Sequence, residues 1–297
     1  EQFGRYPKTG SFVSTGIFCM ESLLPKAVRN SGGANQCNII HPKSMGRFVF
    51  ASGFPSTQTI DIYVADNGST DDSIALITAQ FPQVKLILST ENLGYAGGYN
   101  HALKQIDAEY YVLMNSDIEP KEHWLSNLLT YFKANPQVTA AQPFILSYQE
   151  PTKFEYAGAA GGYWDRYGYA FCRGRIFDSI ETQTNQFESA IVNWATGACL
   201  MVRSHVYWEV GGLDAYFFAH MEEIDLCWRL RKSGRKIGYL GSAVVYHQGG
   251  ATLDRASAQK LYLNCRNSLS MLYKNVGVLR FAAIFLAKGF FEGLAAI

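Results

Sequence analysis

Apolar residues in the middle of this chain fall into short β-favouring runs that stop at polar turns, and between them apolar positions recur at helical spacing. Ile60–Asp66 is such a run and ends on a carboxylate; Lys85–Ser89 is a second; Tyr110–Met114 is a third, closed by Asn115-Ser116-Asp117-Ile118-Glu119-Pro120. Runs of this length, bounded by turn residues, predict buried strands. Asn67-Gly68-Ser69-Thr70-Asp71-Asp72 predicts a turn in which Ser69, Thr70 or Asp71 caps a helix through Phe81. Glu91–Asn100 reads as a glycine-rich loop entering a helix through about Ile106. Trp124, Leu125, Leu128, Leu129 and Phe132 mark one face of an amphipathic helix. Strands alternating with helices over 60–146 predict βαβ units on a parallel sheet.

The pattern changes after Glu150. Residues 155–175 intersperse Gly158, Gly161, Gly162, Gly168 and Gly174 with aromatics and predict loops and short strands. Cys199–Val202 predicts a strand, Ser204 the cap of a short helix ending at Gly211-Gly212, and Glu222 the opening of a helix stopped by Gly234. That helix carries Glu222, Glu223 and Asp225 at its start and Arg229, Arg231 and Lys232 at its end, which complements the helix dipole. A strand over 235–246, ending at His247, and a long helix from about Ala256 to Lys274 complete the pattern before an apolar tail. Residues 1–59 are the least regular. Residues 23–34 read as the end of a helix stopped by Gly32 or Gly33, and 36–59 as loop.

Composition narrows the classes. With 297 residues, 48% of them hydrophobic, the chain buries one large core or two intimate halves. A net charge of +1 argues against a nucleic-acid partner. The six cysteines are scattered with no CxxC pair, the pattern of small buried hydrophobes in a reducing, cytoplasmic setting. No secretory leader is legible, and a start other than Met is expected of a fragment.

The chemistry gathers where strands end. In open α/β sheets ligands sit beyond the carboxyl ends of the strands, and Asp117 with Glu119 offers oxygen to a hard divalent cation there. The bland alternative makes Asp117 the cap of the helix that follows. Asp66 has a comparable alternative, an Asx turn with Asn67-Gly68. Glu222 and Glu223 have one as dipole partners, Trp194 as core, and Asp225 as an i, i+4 partner of Arg229.

Taken in order, Val64–Asp71, Asn92–Asn100, Asn115–Asp117, Trp194–Ala198, Glu222–Arg229 and Tyr246-His247 resemble the motifs of family 2 glycosyltransferases, of the rhamnosyltransferase-like kind. The resemblance spans roughly 60–275 and implies a GT-A fold, an α/β architecture with a Rossmann-like mixed sheet flanked by helices and followed by C-terminal helices. It implies an atypical region 1–59, a nucleotide-sugar-binding half at 60–150, an acceptor-binding half at 151–255 and a helical segment at 256–297. It implies sugar transfer, with inversion, from a nucleotide-diphosphate donor such as a dTDP- or UDP-sugar to a glycan or polyprenyl-linked acceptor. Donor contacts would come from Asp66, Asn67, Gly68, Asn92, Gly97, Gly98, Asn100 and Asn115, and acceptor contacts from Trp194, Thr196 and Gly197. A Mg²⁺ or Mn²⁺ cofactor would rest on Asp117, Glu119 and His247, with Glu223 as base beside Glu222 and Asp225.

Two features depart from the family pattern. The expected apolar first strand, ending in Tyr-Asn or Trp-Asn, is not found in 1–59; 36–59 reads as inserted sequence, with Gly46–Ser52 a candidate replacement. The Asn115-Ser116-Asp117 triplet lacks a first aspartate. The tail 276–297 is apolar but broken by Arg280, Lys288 and Glu292, so it predicts an interfacial helix at the inner face of the plasma membrane, or one packed on the domain, rather than a span. The rival functions are a sugar-nucleotide nucleotidyltransferase, which needs a glycine-rich basic loop near the start that this chain lacks, and an inactive family member that only binds.

Overall fold

The computed structural model describes residues 15–20, 38–39, 48–49, 60–155, 160–176, 179–180, 188–247 and 258–295. In chain order the principal elements are β1 (Thr15–Met20), β2 (Ile60–Asn67), α1 (Ser73–Gln80), β3 (Lys85–Ser89), α2 (Gly94–Leu103), β4 (Tyr110–Met114), β5 (Ile118–Pro120) and α3 (Trp124–Ala134). They continue with β6 (Val138–Ser147), β7 (Ala190–Val192), β8 (Cys199–Arg203), α4 (Ser204–Glu209), α5 (Glu222–Lys232), β9 (Lys236–His247), α6 (Ala258–Asn275) and α7 (Val278–Ala295).

The strands form one mixed sheet in the order β7-β9-β6-β8-β4-β1-β2-β3, with β5 pairing along β9. β4 lies near its centre, and the reason is in its composition. All five residues are apolar or aromatic and all are buried, so the strand is covered on both faces. Tyr111 and Leu113 point into one core with Tyr99, Leu103, Leu226 and Leu230. Tyr110, Val112 and Met114 point into the other, with Leu125, Leu128 and Phe132 of α3. The helix predicted from Trp124 to Phe132 therefore packs by the face the sequence marked.

The main strands of 60–146, β2, β3, β4 and β6, run in one direction as the βαβ reading expects, but the sheet they form is mixed because strands from outside that stretch are inserted between them. β2 and β3 pair in parallel. β1, however, runs antiparallel to both of its neighbours, β2 and β4. β8 likewise runs antiparallel to both β4 and β6. The segments assigned to a donor half and an acceptor half thus share one sheet, since β8 of the second lies between two strands of the first.

The slot beside the Asp66 strand is filled by β1, not by the candidate Gly46–Ser52. Within that candidate, Phe48–Val49 pairs with Asn38–Ile39 outside the main sheet, so 36–59 is not wholly loop. The helix end expected in 23–34 lies outside the described residues. Beyond β6, Gly162–Trp164 and Ala170–Cys172 are short strands of the kind expected among the glycines and aromatics, and they pair as an antiparallel hairpin. Among the described cysteines Cys199 and Cys227 are buried, whereas Cys172 is half-buried and Cys265 exposed, so burial holds for only some of them.

Among the described residues no helix is long and apolar enough to cross a membrane. α7 nonetheless leaves Val278, Leu279, Leu286 and Phe290 exposed.

Candidate active site

Two loops at strand ends and the start of one helix build the site. The first is the turn after β2. Asp66 accepts hydrogen bonds from the Gly68 and Ser69 amides, both at 3.1 Å. Asn67 next to it accepts from the Leu93 amide at 2.9 Å and donates to the Gly94 carbonyl at 3.0 Å and to Asn92 Oδ1 at 3.1 Å. The two donor-side motifs are thereby one unit: the β2 turn holds the glycine-rich loop. Gly98 belongs to the same unit, because a Cβ there would meet the Asn67 side chain at 3.2 Å.

The second loop carries Asp117, where β4 has run out. His247, the last residue of β9, places Nε2 3.1 Å from Asp117 Oδ1. Its Nδ1 lies 3.4 Å from Glu155 Oε1. Burial opposes a charge on this ring, but the two carboxylates win and push its pKa up to about 10. An imidazole between two carboxylates, with a buried Glu119 oxygen two residues beyond Asp117 lacking a partner, is a donor set that fits a divalent cation, which would displace the imidazole proton on binding. No cluster of three or more such ligands occurs among the described residues, so a cation there would draw its remaining ligands from substrate or water.

The third element is the start of α5. Glu222 and Glu223 each keep a buried carboxylate oxygen without a partner. Burial raises the pKa of both, and the Glu223 charge raises Glu222 further. At Glu223 the rise is partly offset by the backbone amides of Glu223, Gly197 and Ile224. The two carboxyls therefore titrate as one coupled pair above the ordinary glutamate range, Glu222 the more strongly raised.

Gly197 and Ala198 together join all three elements. The neighbouring Ala198 carbonyl accepts from the Asn115 amide at 2.9 Å. The Gly197 carbonyl accepts from the Tyr95 hydroxyl at 2.5 Å, and a Cβ at Gly197 would meet that oxygen at 2.7 Å. Its amide faces Glu223. Two adjacent backbone positions thus meet the glycine-rich loop, the Asp117 strand and the carboxylate pair.

Comparison with known proteins identifies the family. The model of a family described as glycosyl transferase family 2 matches residues 49–211. The chain belongs to glycosyl transferase family 2. Among curated members, it is similar to an N-acetylglucosaminyl-diphospho-decaprenol L-rhamnosyltransferase of Mycobacterium tuberculosis, 27% identical over 233 residues, 72% of this chain and 75% of that protein. It is also similar to rhamnosyltransferase WbbL of Escherichia coli, 25% identical over 143 residues, 48% of this chain and 53% of that protein. The fold resembles the crystal structure of GalNAc-T7 with UDP, GalNAc and Mn²⁺, with a TM-score of 0.54 and 12% identity over 72% of this chain and 41% of that one. This family 2 enzyme is a glycosyltransferase with a GT-A fold that uses a nucleotide-sugar donor.

Several residues singled out from the motifs serve the scaffold. Asn100 accepts from the Tyr207 hydroxyl at 2.6 Å and donates to the Leu213 carbonyl at 2.5 Å, so its amide anchors the turn after α4. Asp225 is fully buried and bonded to Arg229 at 2.8 Å, Lys274 at 3.0 Å and Asn275 at 2.8 Å. With both oxygens engaged and the side chain fully buried, it ties α5 to α6 and is closed to a substrate. Trp194 is buried under Gly162 and donates to the Tyr163 carbonyl at 2.9 Å. Thr196 is buried, its amide bonded to Gln142 Oε1 at 2.9 Å. Gly97 packs against Leu93 and the left-handed Gly68 against Glu91, so both shape the loop by having no side chain.

Sequence reasoning missed three residues that the fold brings in. Tyr95 had a signal, since it lies inside the glycine-rich motif. His220 had a weaker one, two residues before Glu222; its Nε2 is buried without a partner and burial lowers its pKa to about 4. Glu155 had none, because only the return of β9 beside β6 brings it to His247.

Proposed function

We propose that this enzyme is an inverting, metal-dependent glycosyltransferase that moves a sugar from a dTDP- or UDP-sugar, dTDP-rhamnose being the leading candidate, to a glycan or polyprenyl-linked acceptor. The observation that carries the reading is the meeting of the Asp117 strand end and the Glu222–Glu223 helix start at one loop, Trp194–Ala198. Inverting transfer needs leaving-group stabilisation on one side of the sugar and a base on the other, and these two elements supply the two sides.

In this mechanism Asp117 and His247 would hold Mg²⁺ or Mn²⁺, with Glu119 a further candidate ligand, and the cation would supply Lewis-acid stabilisation of the diphosphate charge. Glu223 takes the proton of the acceptor hydroxyl as that oxygen bonds the anomeric carbon and the bond to the diphosphate breaks. Burial of Glu222 beside Glu223 raises both carboxyls, which makes the ionised member of the pair a stronger base. The Asp66–Asn67 turn fixes the loop at Asn92–Gly98, whose backbone forms the donor-side wall. The acceptor class is supported by the rhamnosyltransferases among the relatives. The exposed apolar residues of α7 support a peripheral contact with a membrane that carries such an acceptor.

Calorimetric titration of UDP and dTDP, with and without Mn²⁺, tests the reading. Metal-dependent binding that disappears in Asp117→Ala is expected, and the preferred base narrows the donor. A folded protein that binds neither nucleotide would be an inactive relative.

A further inference from the structure

The segment before the carboxylate pair is strained. Phe218, His220 and Met221 all adopt left-handed backbone angles, with φ of 64°, 70° and 74°, and none is glycine. Such conformations persist only where the surroundings hold them, and they cluster at working sites. Here they are held from two sides. On the donor side the Phe218 carbonyl accepts from the Tyr95 amide at 2.6 Å. On the other side stands Asn267 of α6, fully buried. Its Nδ2 lies 3.0 Å from the Phe217 carbonyl, 2.8 Å from Ala219 and 2.7 Å from His220. Its Oδ1 accepts from Arg266 Nε at 2.9 Å, and Arg266 donates to the Tyr216 and Phe217 carbonyls at 3.2 and 3.0 Å.

We infer that Asn267 is a positioning residue for sugar transfer: from α6 it clamps the strained 217–220 segment and so aims Glu222 and Glu223 at the acceptor. Two hydrogens shared among three carbonyls serve no packing need that an apolar side chain would not meet more simply. What they fix is the path of the backbone into the first turn of α5. The clamp joins the glycine-rich loop through Phe218 and α6 through Asn267, so the base is set relative to the donor by backbone contacts. No substrate contact is assigned to Asn267. The inference rests on the carboxylate roles proposed above.

The test compares Asn267→Ala with Met271→Ala, a cavity variant in the same helix that touches none of the loop carbonyls. Hydrogen exchange and transfer kinetics are measured on both. In Asn267→Ala, amides of 218–224 should exchange at least about tenfold faster while β4 and α3 stay protected. kcat should fall about tenfold to a hundredfold with nucleotide affinity within about threefold. Met271→Ala should lower the Tm and leave kcat nearly unchanged. Should Asn267→Ala not fold, Asn267→Gln, which keeps the amide and shifts it by one methylene, is read the same way. Equal exchange and equal kcat in the two helix variants would overturn the inference. A wild-type protein that transfers no sugar would sink the proposed function, while loop exchange would still decide whether Asn267 clamps the segment.

Discussion

His247 Nε2 lies 3.1 Å from Asp117 Oδ1 across a separation of 130 residues. The contact exists because β5, directly after Asp117, runs antiparallel along the end of β9, with Ile118 opposite His247. Glu155 closes the other side of the imidazole. As a partner of the second ring nitrogen, Glu155 would orient His247 toward a bound cation. Glu155→Gln should therefore weaken Mn²⁺ binding in the presence of dTDP or UDP by about tenfold to a hundredfold, measured by calorimetry. Unchanged affinity would remove Glu155 from the metal corner.

Glu223→Gln should lower kcat by about 10² to 10⁴ and leave nucleotide affinity intact, because only a proton acceptor is lost. The wild-type rate should rise with pH through a pKa above the ordinary glutamate range and then level, as burial raises both carboxylates. A flat profile across that range would reassign the base.

Glu222 gives a stability prediction with a definite sign. Its pKa is raised in the folded state, so the native protein binds more protons than the unfolded chain. Stability is then favoured at low pH and falls as pH climbs from the ordinary glutamate range through the raised value. Glu222→Gln removes the Glu222 share of this dependence and should raise the Tm at neutral pH. A Tm unmoved, or lowered, by the substitution would show that the buried carboxyl costs nothing in the resting enzyme.

Asn100→Ala should cost about 1–3 kcal/mol of stability in a denaturant titration, by orphaning the Leu213 carbonyl and the Tyr207 hydroxyl. Nucleotide affinity should stay put. A selective loss of nucleotide binding at unchanged stability would return Asn100 to the donor pocket.

Gly94→Ala tests the joint between donor loop and base loop. Gly94 has a φ of +71°, and a Cβ would meet Phe218 at 2.5 Å. Strain of this kind costs about 1–3 kcal/mol, and it should fall on kcat more than on overall Tm because Phe218 leads directly to the carboxylates. A fully active variant would show that the two loops move independently.

The sequence by itself determined the local elements and the list of chemical groups. β4, α3 and α5 are written in their own composition, because an unbroken apolar run, a helical stripe and an acidic start with a basic end are local properties. Asp117, His247, Glu222 and Glu223 were legible for the same reason, as polar groups at element ends. What the tertiary structure decided is which of these groups remain free to react. Asp225 sits two residues past Glu223 in an equally acidic turn, yet Lys274 and Asn275 arrive from α6 and occupy its oxygens. Asn100 lies within the motif read as nucleotide-binding, yet Leu213 and Tyr207 claim its amide. The antiparallel seat of β1 also belongs to the tertiary structure, because strand direction is set by pairing with β2 and β4 and not by residues 15–20 themselves. Burial and partnership are properties of the whole chain, so a local pattern names the candidates and packing selects among them.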